Sequence, residues 1–242
     1  MNIHILRSKA EIDRAVADLF IEQVKANPNS VLGLATGSTP LGVYALLAKD
    51  HKENHTDYHN VTTVNLDEYI GLPDGHPESY KEFMKRNLFN HINVDFNRVH
   101  IPSIQGTYEE SCKAYNDLLN QFVPDIQLLG IGANGHIGFN EPGTKADSKT
   151  HTVLLAEKTR LDNARFFNHI DEVPTHAITM GIQNILDAKR IVLIATCASK
   201  ADAIYKMITG EITESLPASF LQKHSNVDIF LDKEAAKLLL KK

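Results

Sequence analysis

Four short segments gather the residue types that can do chemistry. Thr36-Gly37-Ser38-Thr39-Pro40 combines hydroxyls, a flexible glycine and backbone N–H groups ahead of a proline. Such a loop suits a phosphate at a helix start, where unpaired N–H groups and the helix dipole favour an anion. It suits equally a plain helix N-cap, since Ser or Thr before Pro is a common one. Asp67-Glu68-Tyr69 sets two carboxylates side by side. Neighbours on a strand point to opposite faces, so only one of the pair can serve a given site. By itself Asp67 reads first as a turn or capping residue. The richest segment is LLGIGANGHIGFNEP, Leu128 to Pro142, where His136 and Glu141 stand among Gly130, Gly132, Gly135 and Gly138. Imidazole and carboxylate are the usual ingredients of proton transfer near neutral pH. Ser199-Lys200 adds a hydroxyl and a point charge for the same anion. Arg165, in DNARFF, is a cation in an apolar stretch and alone reads as a surface or ion-pair residue.

Residues so scattered need a scaffold to bring them together, and the hydrophobic pattern supplies one. Short apolar runs at Ile3–Leu6, Val31–Ala35, Thr63–Leu66, Ile126–Ile131, Thr152–Leu155, Ala177–Met180, Arg190–Ala195 and Val227–Leu231 read as strands. Helical periodicity is clearest in AEIDRAVADLFIEQVKA, YEESCKAYNDLLNQF, SKADAIYKMIT and KEAAKLLL. Strands alternating with helices of this length predict a single α/β domain over residues 1–242. Its form is Rossmann-like, a mostly parallel sheet flanked by helices. In open sheets of this kind ligands bind beyond the carboxyl ends of the strands. All four polar segments directly follow a predicted strand, so the topology converges them. Two Gly-, Pro- and Asp-rich stretches, Gly71–Glu78 and Glu141–Thr150, read as long loops of the functional kind.

Composition narrows the function. The 242 residues are 43% hydrophobic and 23% charged with a net charge of −5, which gives no reason to expect nucleic acid or an anionic membrane as partner. Cys112 and Cys197 are the only cysteines, too few for a disulfide framework or a zinc pattern. No apolar run reaches the roughly 20 residues a membrane helix needs, and no signal-peptide core develops at the amino terminus. A cytoplasmic location is the default. GxxxxGK[ST] is absent, and GIGANG is followed by a polar His and no helical period. Neither a nucleotide loop nor a dinucleotide fingerprint is therefore present.

The segments LATGSTPLGVYALL, VNLDEYIGLPDGHPESYKEFM, LLGIGANGHIGFNEPG, TRLDNARFFN, HAITMGIQNILDAKRIVLIATCASKADAI and VDIFLDKEA resemble the glucosamine-6-phosphate deaminase (isomerase) family. They run from about residue 31 almost to the carboxyl terminus, and LDEYIGL with GHIGFNEPG is a specific combination. The resemblance implies conversion of glucosamine 6-phosphate and water to fructose 6-phosphate and ammonia, without cofactor or metal, in amino-sugar catabolism. The substrate amine acts as electron sink once the sugar ring is open. Carried over by position, Asp67 resembles the base that moves the C2 proton towards C1. His136 resembles the residue that opens the pyranose ring, and Glu141 its acidic partner. Gly37, Ser38 and Thr39 with Arg165 and Lys200 resemble the phosphate site, and residues 152–180 a lid.

One position departs from the longer, hexameric relatives, which carry Asp where this chain has Asn134. Asn still orients an imidazole by hydrogen bonding but brings no charge to favour imidazolium. The basic positions of the relatives' effector site correspond to His151 and Val153, and the carboxyl-terminal extension that completes it does not follow Lys242. A monomer or weak dimer with hyperbolic kinetics is therefore expected. Two rivals stand beside this reading. One is a 6-phosphogluconolactonase-type hydrolase, whose pattern lacks FNEP after the Gly-His pair. The other is a sugar-phosphate sensor without turnover, which loss of Asp67 or His136 would have favoured.

Overall fold

A computed structural model describes residues 1–155, 157, 160–161, 164 and 167–240. The chain opens with β1 (Asn2–Leu6), α1 (Lys9–Ala26), β2 (Val31–Leu34), α2 (Leu41–Asn54) and β3 (Thr62–Asn65). There follow β4 (Asp67–Ile70), α3 (Tyr80–Asn87), β5 (Val99–His100), α4 (Tyr108–Gln121) and β6 (Ile126–Leu129). The last part holds β7 (His151–Leu154), β8 (His176–Thr179), α5 (Ile182–Leu186), β9 (Ile191–Ala195), α6 (Ala201–Thr209) and β10 (Val227–Asp232).

Local signals explain where the helices begin. Ser8 accepts from the Glu11 N–H, Ser79 from that of Glu82, and Thr107 and Glu110 form a reciprocal capping box at α4. On α1, Ile12, Val16, Phe20 and Val24 recur at helical spacing and are all buried. The runs VLGL, IQLL and IVLIA are apolar on both faces because helices cover both faces of the sheet they form.

That sheet has seven parallel strands in the order β1-β10-β9-β6-β2-β3-β5. Leu32, Leu34, Leu128 and Ile194 pack against α1, α2 and Met84 of α3. Leu129, Leu193, Ile229 and Leu231 pack against α4, α5 and α6. From β2 the chain winds outward through β3 to β5, then returns to lay β6 on the other side of β2. The β2/β6 boundary is thus the topological switch point, where a crevice opens beyond the strand ends.

The mostly parallel α/β sheet matches the sequence expectation, with strand limits moved by a residue or two. Three details differ. The sequence ends a strand at Leu66 and reads Asp67 as a turn or capping residue, whereas a further strand begins at Asp67: β3 stays in the main sheet and β4 leaves it. Thr152–Leu155 and Ala177–Met180 correspond to β7 and β8, which join β4 in a separate three-stranded antiparallel sheet ordered β4-β8-β7. Leu66 hinges the two sheets, donating to Leu34 O at 3.1 Å and accepting from Met180 N at 2.7 Å. KEAAKLLL forms successive turns, not a helix. Hydrogen bonds there mix three- and four-residue spacings while Ala235 and Ala236 pack into the core. Gly71–Glu78 and Glu141–Thr150 carry no helix or strand, as expected.

Candidate active site

The loop after β6 presents its imidazole against bare backbone. A Cβ at Gly132 would lie 2.4 Å from His136 Nδ1 and 2.3 Å from its Cε1, so only glycine leaves room for the ring. Asn134 Oδ1 is 2.7 Å from His136 Nδ1, and Asn134 Nδ2 donates to Glu141 Oε2 at 2.7 Å. Glu141 Oε1 is itself 3.5 Å from Nδ1. Asn134 therefore bridges the other two, its oxygen towards the ring and its amide nitrogen towards the carboxylate. An amide oxygen only accepts, so Nδ1 carries the hydrogen and Nε2 is the basic nitrogen of the neutral ring. Among the described residues Nε2 has no hydrogen-bond partner, and the imidazole is 28% exposed. That nitrogen is placed to exchange protons with a ligand.

The loop is tied down behind the histidine. Asn140 Nδ2 donates to Ile137 O and Met180 O at 2.9 and 2.8 Å, and Phe139 N donates to Thr179 Oγ1 at 3.2 Å. Between these anchors Gly138 adopts φ +56° and turns towards β4. A Cβ there would stand 3.1 Å from Thr179 Oγ1 and 3.6 Å from Asp67 Oδ2. Asp67 thus faces the same loop as His136. Sequence reasoning missed Thr179 and Asn140, whose roles are contacts across the chain with no local pattern.

Asp67 begins β4, opposite Thr179 of β8, and is buried. Among the described residues nothing donates to its carboxylate. Burial pushes its carboxyl up to about 8, and the charge of Glu68 adds to the rise. Glu68, on the opposite face of β4, is provided for quite differently. It accepts from Tyr69 N at 2.8 Å, Tyr80 N at 2.9 Å and Lys81 N at 2.9 Å, docking on the start of α3. Only Asp67 of the pair faces the loop that carries His136, and it caps no helix. Tyr69 packs 4.7 Å from Tyr80 and 6.1 Å from Phe139, giving this side of the site an aromatic wall.

At the end of β2, Gly37 takes φ +91° and α2 begins at Pro40 with no side chain capping its first turn. The capping alternative for TGSTP is not realised. Thr39 lies across the switch point against Gly130, whose Cβ would stand 3.7 Å from Thr39 Oγ1. Ser199 and Lys200 belong to a short 3-10 turn, and α6 starts one residue later. The order β9-β6-β2 sets the ends of β9 and β2 two strand spacings apart, about 10 Å. Gly37, Ser38, Thr39 and Lys200 therefore share the rim that carries His136. Arg165 lies outside the described residues. Among those described no group of three or more His, Cys, Asp or Glu could hold a metal ion.

Comparison with known proteins fixes the lineage. Residues 7–230 match the family described as glucosamine-6-phosphate isomerases/6-phosphogluconolactonase. The chain is 48% identical over 241 residues to the glucosamine-6-phosphate deaminase of Thermoanaerobacter sp. (strain X514), covering 99% of this chain and 95% of that one. To the glucosamine-6-phosphate deaminase of Halalkalibacterium halodurans it is 51% identical over 221 residues, 90% of each chain. The chain belongs to the glucosamine-6-phosphate deaminase family.

The solved structure of a monomeric glucosamine-6-phosphate deaminase superposes on this member of the family with a TM-score of 0.96 at 46% identity, covering 98% of this chain and all of that one. The 6-phosphogluconolactonase of Trypanosoma cruzi superposes at 0.80 with 21% identity, over 99% and 97% of the two chains, a likeness of fold alone.

Proposed function

We propose that this chain converts glucosamine 6-phosphate and water to fructose 6-phosphate and ammonia, with Asp67 and His136 as its proton carriers. The observation that carries the reading is their juxtaposition. An imidazole held through Nδ1 faces the same loop as a buried carboxylate, and among the described residues nothing donates to that carboxylate or meets Nε2. In the ring-opening step Nε2 takes the proton of the anomeric hydroxyl and returns one to the ring oxygen, leaving the open-chain aldehyde. Asp67 then removes the C2 proton and delivers it to C1, while the C1 oxygen gains the proton that the C2 ammonium gives up. The amine nitrogen now sits in a C2 iminium. Water adds there, ammonia leaves, and the C2 ketone remains.

The electrostatics suit this order of events. A carboxyl raised to about 8 is a stronger base than an ordinary one once ionised. The substrate's ammonium group at C2 favours that ionised form as it binds. Gly37, Ser38 and Thr39 with Lys200 and Arg165 hold the phosphate, fixing C1 and C2 between the two proton carriers. Residues 152–180 act as a lid. Leu155 and Ala177 share a small apolar cluster with Tyr69 and Phe139, so its footing is built on the site's own wall.

The protein works in the cytoplasm as a monomer or weak dimer, with hyperbolic kinetics and no activation by N-acetylglucosamine 6-phosphate. In support, Val153 packs onto the aromatic cluster and His151 Nδ1 is engaged 2.8 Å from Lys149 O, so neither is set up to bind a phosphate. The proton carriers are tested by exchange at C2 in deuterated water. Asp67→Asn should bind substrate yet lose at least about 10²-fold in exchange rate. Exchange at the wild-type rate would remove Asp67 from this role.

A further inference from the structure

We infer that Glu68 is a positioning residue for Asp67, fixing the direction of the neighbouring carboxylate and setting its own donor-held carboxylate beside it. The inference rests on the reading of Asp67 as the base. Its foundation is geometric. Both oxygens of Glu68 are occupied, Oε1 by Tyr69 N and Tyr80 N, Oε2 by Lys81 N, and all three partners are donors. Three N–H donors and no acceptor select the carboxylate over the acid. The site is also the N-terminus of the eight-residue helix α3, where the helix dipole favours an anion. Burial raises the pKa of Glu68, and the three N–H donors pull against that rise and hold the carboxylate form.

This anchor fixes β4 from behind. Rotating the strand about its axis, the motion that would swing Asp67 away from Gly138, breaks the two charge-assisted hydrogen bonds to Tyr80 N and Lys81 N of α3. Adjacent residues face opposite ways along a strand, so Glu68 steers Asp67 without entering the site. Its charge then makes the neighbouring carboxyl a weaker acid and a stronger base.

The other groups that meet Asp67 offer no substitute charge. Tyr69 from β4, Tyr80 from α3 and Tyr115 from α4 all feel Asp67, and burial holds each phenol neutral by raising its pKa. Thr179 of β8 does not titrate. His136 and Glu141, on the loop that turns past Asp67 at Gly138, are engaged with Asn134. Lys81 acts on Glu68 from α3, pulling against the effect of its burial.

The test compares Glu68→Gln, Glu68→Asp and Asp67→Asn in the full chain, with folding checked by circular dichroism. Glutamine keeps the shape, removes the charge and turns one NH2 towards a backbone donor. For it we expect kcat to fall about tenfold with KM within about twofold. The acidic limb of kcat/KM should also move to lower pH, because Asp67 loses its neighbouring anion. Aspartate keeps the charge one methylene short, so kcat should fall with the limb in place. An unmoved limb in Glu68→Gln overturns the inference, since a merely structural role lowers activity without shifting it. Should the glutamine variant fail to fold, a second charge-free variant, Glu68→Ser, is read on the same limb: a shift to lower pH supports the inference, and an unmoved limb overturns it. Asp67→Asn separates the two readings. Retained C2 exchange there would refute Asp67 as base, whereas lost exchange with an unmoved Glu68→Gln limb would refute only the role of Glu68.

Discussion

Replacing Asp67 by asparagine should stabilise the protein while silencing it, and the size of the gain follows from burial. In the unfolded chain the carboxyl titrates near 3.8, whereas in the fold it titrates near 8. Between these values the folded state holds a proton that the unfolded state has released. Stability therefore falls as pH rises through this window, and stays low above it. At about 1.4 kcal/mol per pH unit, the carboxyl costs on the order of 2 kcal/mol at pH 5 and about 5 kcal/mol at pH 8. Asparagine has the same shape and no charge, so it escapes the cost. With roughly 2–4 °C in Tm per kcal/mol for a domain this size, the variant should melt on the order of 10 °C above wild type at pH 8. At pH 5 the two should lie within several degrees. Thermal unfolding across pH, followed by circular dichroism, measures the difference directly. Parallel curves for the two proteins from pH 5 to pH 8 would mean that Asp67 is not held in the acid form, and the argument for a tuned base would fall. A trade of stability for activity at one side chain is what a preorganised site imposes.

Two further substitutions probe the rim and the loop. Lys200→Ala should raise KM for the phosphorylated sugar about ten- to a hundredfold, the usual worth of a charge-assisted phosphate contact, and should leave the weak reaction of unphosphorylated glucosamine unchanged in steady-state assays. Gly138→Ala places a methyl group 3.1 Å from Thr179 Oγ1 at φ +56°. It should cost about 1–3 kcal/mol in chemical denaturation and lower kcat more than it raises KM, because the strain falls between Asp67 and His136.

Much of this site was legible in the chain itself. A histidine in a Gly-rich turn alone reads as structural, and it is the company of Glu141 and of polar residues at three other strand ends that marks His136 as functional. The strand-end rule collects Gly37, Ser38, Thr39 and Lys200 on one rim from the sequence alone. Asp67 was harder. By itself it reads as a turn or capping residue after the strand, and only the pairing of β4 with β8 shows that a second strand begins there. The division of labour between the two carboxylates was hidden for a different reason. Glu68 is held by N–H groups of Tyr80 and Lys81, twelve and thirteen residues on, and no periodicity announces such a contact. Asn134 could be placed by analogy, but its bridge between His136 and Glu141 depends on how the loop folds back. Arg165 falls outside the described residues, so its place in the phosphate site stays a proposal.

The central claim meets its most direct test in one incubation. Purified protein is mixed with glucosamine 6-phosphate, and ammonia and fructose 6-phosphate are measured together over time, with 6-phosphogluconolactone as a parallel substrate. The account predicts the two products in equal amounts and no lactone hydrolysis above background. Absence of both products, or rapid lactone hydrolysis without ammonia release from the amino sugar, would contradict it.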